Sequence, residues 1–127
     1  MQVTTHFKLS EFACKDGTQV PTKYQGNVAA LCLALEHLRA KLDSPVVIIS
    51  AYRTKAYNKR VGGASKSQHL TAKAADIRLS GKTPAEVSAC LEELIAEGTI
   101  PQGGIGVYPS QSFTHYDIRL SKARWDG

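Results

Sequence analysis

The chain of 127 residues has no long hydrophobic run: its longest, PVVIIS at 45–50, is far shorter than a membrane-spanning helix requires. It has only three cysteines, Cys14, Cys32 and Cys90, widely spaced and without a CxxC pair. An odd, scattered set argues against a disulfide framework or a cysteine zinc knuckle, so they are expected as reduced core residues. The opening stretch MQVTTHFKLSEF lacks the basic start, apolar core and small-residue cleavage site of a secretory signal, and the expectation is synthesis in the cytoplasm without one. No repeat, low-complexity tract or Gly/Ser/Pro linker interrupts the chain, so a single domain over residues 1–127 is expected, with nothing to demand more than a monomer.

With 43% hydrophobic and 21% charged residues, the composition is that of a globular protein and not of a disordered one. Sixteen Lys and Arg against eleven Asp and Glu leave a formal charge of +5. That surplus favours an anionic partner, which could be nucleic acid, a membrane surface or bacterial wall polymer. Nucleic acid fits least: the basic residues are scattered among acidic ones, and no helix-turn-helix, RRM or zinc-finger spacing is present. No nucleic-acid partner is expected.

Val28, Leu31, Leu35, Leu38 and Leu42 recur at helical spacing and predict the longest core helix over about 27–42. SPVVIISAYR, rich in β-branched residues, reads as a buried strand emerging at Arg53, and TKAYNKRVGGAS as a short helix stopped by Gly62 and Gly63. KAADIRL alternates as a strand. TPAEVSACLEELIAEG opens with Thr83 as N-cap, Pro84 at the first helical position and Glu86 closing a capping box. GGIGVYPSQSFTHYDIRL reads as two strands joined by a Pro/Ser loop. Hairpin-like strands with packed helices give an α+β class with a small, mostly antiparallel central sheet and flanking helices.

Histidine is scarce, at four residues. His6 lies in a terminal segment and His37 on a helix, whereas His69 and His115 fall at predicted strands or strand edges. The two-residue strand period puts Phe113, His115, Asp117 and Arg119 on one face, and Ala74, Asp76 and Arg78 on one face of the other strand. If the two strands adjoin, Asp76 can approach His115, and His69 can close the group. Two imidazoles and a carboxylate suit zinc and leave a position open for water. The alternative is ordinary structure, with Asp76 paired to Arg78 or Arg119.

The stretch SQHLTAKAAD, with Ser67, His69, Ala74 and Asp76, followed by His115 on a strand, resembles the signature of the zinc D-Ala-D-Ala carboxypeptidase family, which includes phage endolysin-type peptidases. HFKLSEFACKDG, SAYRTKAYNKRVGGASKSQH, GGIGVYPSQSFTHYDIR and the late ARW extend the likeness over nearly the whole chain, in the compact branch of that family. The resemblance implies a hedgehog/D-Ala-D-Ala peptidase-like fold, a Zn2+ cofactor held by His69, Asp76 and His115, and Arg53 as a group that holds substrate or the developing oxyanion. It implies a peptidase cutting the stem peptide of bacterial peptidoglycan, reaching the wall by phage-type release. Ser67 and Tyr52 are the expected substrate-binding residues. Tyr57, Tyr108 and Tyr116 are expected chiefly as core-edge residues, and Trp125 as packing.

Two positions depart from the family pattern. Ala72 stands where the family has a glycine, which puts a turn needing positive φ in question. Ser112 and Phe113 stand where relatives carry an acidic or histidine base. Asp117 is the substitute base, or else the partner that orients His115 through its other ring nitrogen. A zinc-containing module that binds or assembles peptidoglycan without turnover is the alternative.

Overall fold

The computed structural model describes all 127 residues. It opens with a two-stranded antiparallel hairpin, β1 (Gln2–Thr4) and β2 (Phe7–Lys8), which leads through a 3-10 turn at Leu9–Phe12 to the long helix α1 (Gln25–Leu42). There follow β3 (Val46–Ser50), the short helix α2 (Lys55–Arg60), a 3-10 turn at Gln68–Thr71 and β4 (Ala74–Leu79). Helix α3 (Pro84–Ala96), β5 (Gly104–Tyr108), a 3-10 turn at Pro109–Gln111, β6 (Phe113–Asp117) and β7 (Ala123–Asp126) complete the chain. Strands β3 to β7 form one sheet in the order β3-β4-β6-β5-β7, antiparallel throughout except for the parallel pair β5 and β7. The α+β class with a mostly antiparallel sheet is what the structure has.

Apolar periodicity accounts for the helices. Val28, Leu31, Leu35 and Leu38 are all buried, and α1 packs against α3. The α3 start follows its capping box: Thr83 Oγ1 accepts from Glu86 N at 3.1 Å, and Glu86 Oε1 accepts from Thr83 N at 2.9 Å. The three cysteines are buried and unpaired. No helix is long and apolar enough to cross a membrane.

Strand alternation divides the sheet into two faces. Ala75, Ile77, Ile105 and Tyr116 belong to the hydrophobic core under the helices. Asp76, His115 and Asp117 therefore face the other way, and that face carries the polar chemistry.

Strand β3 differs from the expected buried strand. It is an edge strand with Val47 exposed, and it ends at Ser50, short of Arg53. β-Branched residues favour a pleated strand whether one face or both are covered, so composition alone did not separate the cases. The hairpin β1 and β2 and the strand β7 were not expected from the sequence.

Candidate metal centre

Strand register brings the first two candidates together. β4 and β6 are neighbours, and Asp76 stands directly opposite His115. His69 comes from the 3-10 turn between α2 and β4. Ser67 Oγ caps that turn by accepting from His69 N, and Ala72 ends it in the left-handed region at φ 59°. The turn thus keeps its positive φ although the residue is alanine. Arg53 N donates to His69 O at 3.0 Å, so the chain leaving β3 is stitched to the same turn.

His69, Asp76 and His115 are all buried, with potential ligand atoms within 4.8 Å of one another. His69 Nε2 lies 3.3 Å and His115 Nδ1 3.1 Å from the same oxygen, Asp76 Oδ1. The protons of the two rings follow from their outer partners. His69 Nδ1 is 2.6 Å from the Ala51 carbonyl, which can only accept, so Nδ1 donates and Nε2 presents a lone pair. His115 Nε2 is 2.7 Å from Asp117 Oδ2, a carboxylate already gripped by Arg119, so Nε2 donates and Nδ1 is the inward nitrogen.

Lone pairs of two imidazoles and a carboxylate therefore converge in a buried space, an arrangement that needs a proton or a cation among them. Burial pushes His69 below its ordinary pKa. Burial pushes His115 down as well, but its hydrogen bonds to Asp117 and Asp76 outweigh this and hold it above its ordinary value. For Asp76 burial is likewise outweighed, by its pairing with the His115 and His69 rings when these carry a proton on the inward nitrogen, and its carboxyl stays well below the usual range. With two nitrogens, one carboxylate oxygen and both rings oriented from outside, the donor set fits zinc.

The trio opens into a cleft of about 670 Å³, lined also by Arg53, the loop 61–68, Tyr108, Gln111, Phe113, Arg119 and Trp125. Arg53 is held at three points: Nε donates to Ser50 Oγ, Nη1 to Asn58 Oδ1 and Nη2 to Asp76 Oδ2, each at 3.2 Å. The guanidinium has five N–H donors, so one remains on each terminal nitrogen. The alternative pairing of Asp76 with Arg78 or Arg119 does not occur. Arg78 instead donates to the Ser112 and Gln111 carbonyls, and Arg119 to Asp117.

One expected substrate-binding residue stands elsewhere, and the other aromatics divide between core and cleft. Tyr52 is buried, does not line this cleft, and borders a separate hollow with Tyr24 and Leu70. Tyr116 is fully buried and donates to the Pro101 carbonyl. Tyr108 and Trp125, expected at the core edge or as packing, line the cleft.

Asp117 is 0% exposed and does not line the cleft. Its Oδ1 accepts from Gly104 N, Arg119 N and Arg119 Nε, and its Oδ2 from His115 Nε2 and Arg119 Nη2. A free carboxylate beside the trio, as a base requires, is therefore not what Asp117 offers. Strand alternation correctly put it on the His115 face, but the bonds that saturate it come from Arg119 and from β5. Phe113 is half-buried and stacked on Tyr108 with centroids 4.4 Å apart, so Asp76 is the only carboxylate lining the cleft.

A buried pair of histidines and a carboxylate at the floor of a cleft is the kind of site mononuclear metalloenzymes use. The model of the family described as peptidase M15 matches residues 5–117, and the chain belongs to that family of metallopeptidases. No curated protein matches the chain.

Proposed function

We propose that the protein is a zinc peptidase acting on the stem peptide of bacterial peptidoglycan. The observation that carries this reading is the convergence of His69 Nε2, Asp76 Oδ1 and His115 Nδ1, each ring fixed from behind by an acceptor. When bound, zinc supplies Lewis acidity, polarising a scissile carbonyl and bringing the pKa of a water toward neutrality. Arg53 uses its two remaining N–H groups to hold a substrate carboxylate or the oxyanion that develops on the carbonyl. Ser67 Oγ accepts from His69 N, which leaves its hydroxyl proton for a substrate carbonyl. Asp117 orients His115 and keeps the proton on Nε2; it is not the base. Tyr52 is removed from the substrate-binding set because it faces a different hollow. The net positive charge suits an anionic wall polymer.

One observation favours a second reading, a member of the family with little or no turnover that binds the wall: no second carboxylate lines the cleft to take a proton. Two measurements separate the readings. Elemental analysis after mild dialysis should give about one zinc per chain, and little in His69→Ala. Digestion of purified peptidoglycan should then release new amino groups with the wild type and not with His69→Ala. Zinc without hydrolysis, together with cosedimentation with peptidoglycan, would favour the binding module. No metal in the wild type even after zinc is supplied would overturn both readings.

A further inference from the structure

Strand β7 lies beyond the span matched by the family, yet it brings the single tryptophan of the chain to the ligand cluster. His115 on β6, Gly106 on β5 and Trp125 on β7 stand in one register row across three neighbouring strands. Two strand spacings, about 10 Å, separate the outer backbones, so an ordinary side chain on β5 would stand between them. Gly106 leaves that position empty: a Cβ there would come within 2.5 Å of the indole. Trp125 lies across β5 in that gap and reaches His115, with ring centroids 4.9 Å apart and planes at 54°.

The indole is itself held in place. Nε1 donates to Tyr108 Oη at 2.8 Å, and the Arg119 guanidinium lies over the ring at 5.4 Å from its centroid. Arg119 grips Asp117, and Asp117 accepts from His115. The contacts close a circuit from Trp125 to His115, to Asp117, to Arg119 and back to Trp125. The bond to Asp117 decides which nitrogen of His115 carries the proton, but one hydrogen bond restrains the tilt of a ring only weakly. A second aromatic surface against the ring restricts that tilt.

We infer that Trp125 is a positioning residue of the metal site: by packing on His115 it fixes the tilt at which Nδ1 meets His69 and Asp76. The inference rests on the reading of that trio as a metal site. If the indole served packing alone, its loss would lower stability and leave metal binding as it was.

The test compares full-length wild type, Trp125→Phe and Trp125→Ala by zinc affinity from chelator competition, by the visible spectrum of the cobalt-loaded protein, and by unfolding curves. Trp125→Ala should bind zinc about 10- to 100-fold more weakly, as loss of an outer-shell partner does, and its cobalt bands should shift. Trp125→Phe, which keeps a ring against His115, should restore most of the affinity. Cobalt should also quench the wild-type tryptophan fluorescence with the midpoint seen in the visible spectrum. A folded Trp125→Ala with unchanged affinity and spectrum would overturn the inference while leaving the metal site standing. Should Trp125→Ala not fold, Tyr108→Phe removes only the acceptor of the indole N–H; weaker zinc binding would support the inference and unchanged binding would overturn it. A wild type that takes up no metal would overturn the reading of the site itself.

Discussion

Replacing Asp117 by asparagine separates the two roles open to this residue. The carboxylate accepts from Gly104 N, Arg119 N and Arg119 Nε on one oxygen, and from His115 Nε2 and Arg119 Nη2 on the other. An amide must turn its NH2 toward one of these groups, so donor meets donor in either orientation. Each charge-assisted bond is worth about 1.5–3 kcal/mol, and removing one partner of a buried ion pair costs about 3–5 kcal/mol. Arg119 retains 28% side-chain exposure and can regain some hydration, which favours the lower end, about 3 kcal/mol. For a chain of this size that corresponds to a Tm lower by about 10 °C. The less crowded orientation aims the NH2 at His115. The ring must then accept at Nε2 and carry its proton on Nδ1, the nitrogen that faces Asp76. Zinc affinity should fall about 10- to 100-fold. Thermal unfolding, chelator competition and long-range ¹H–¹⁵N spectra of the histidine rings read the three effects. An Asp117→Asn protein with wild-type stability, tautomer and zinc affinity that loses only turnover would refute this reasoning and restore Asp117 as the base.

Thr83→Ala removes the acceptor of Glu86 N and should destabilise the protein by about 1 kcal/mol, seen as a small loss of Tm. Ala72→Gly relieves a left-handed alanine, worth about 1–2 kcal/mol, but gives up a buried methyl worth about 0.8 kcal/mol. Denaturant unfolding should therefore show stability unchanged or raised by about 1 kcal/mol, and a clear loss would contradict the strain argument. Glu36 ties the hairpin β1 and β2 to α1 by accepting from Thr4 Oγ1 and His6 N. Burial pushes its pKa up, but the hydrogen bonds from His6 and Thr4 outweigh this and hold it below the ordinary value. A depressed acid stabilises the fold above its unfolded-state pKa, and that contribution is lost as pH falls through the folded value. Hydrogen-exchange protection in the hairpin should thus weaken as pH falls below about 4.3, the ordinary glutamate value, with no such titration in Glu36→Gln.

Much of the fold was legible because its signals are local. The apolar period of α1 and the capping box at Thr83 lie within a few turns of chain. Hairpin β1 and β2 is too short to carry a pattern, with two residues in its second strand. Strand β7 forms only because β5 offers a free edge to which it adds in parallel, and no local spacing in ARWD announces that.

For the site, the sequence determined which side chains share a face. Alternation put Asp76 on one strand and His115 and Asp117 together on another, and the turn held by Ser67 set His69 before them. The partners were decided by tertiary structure. Arg53 meets Asp76, and Asp117 is saturated by Arg119 and by the backbone of β5. Tyr52 turns into a separate hollow, and Trp125 reaches His115 across the vacancy at Gly106. The physical reason is that backbone geometry repeats every two or 3.6 residues and so fixes direction from sequence alone, whereas register and strand order are set by the packing of the whole sheet.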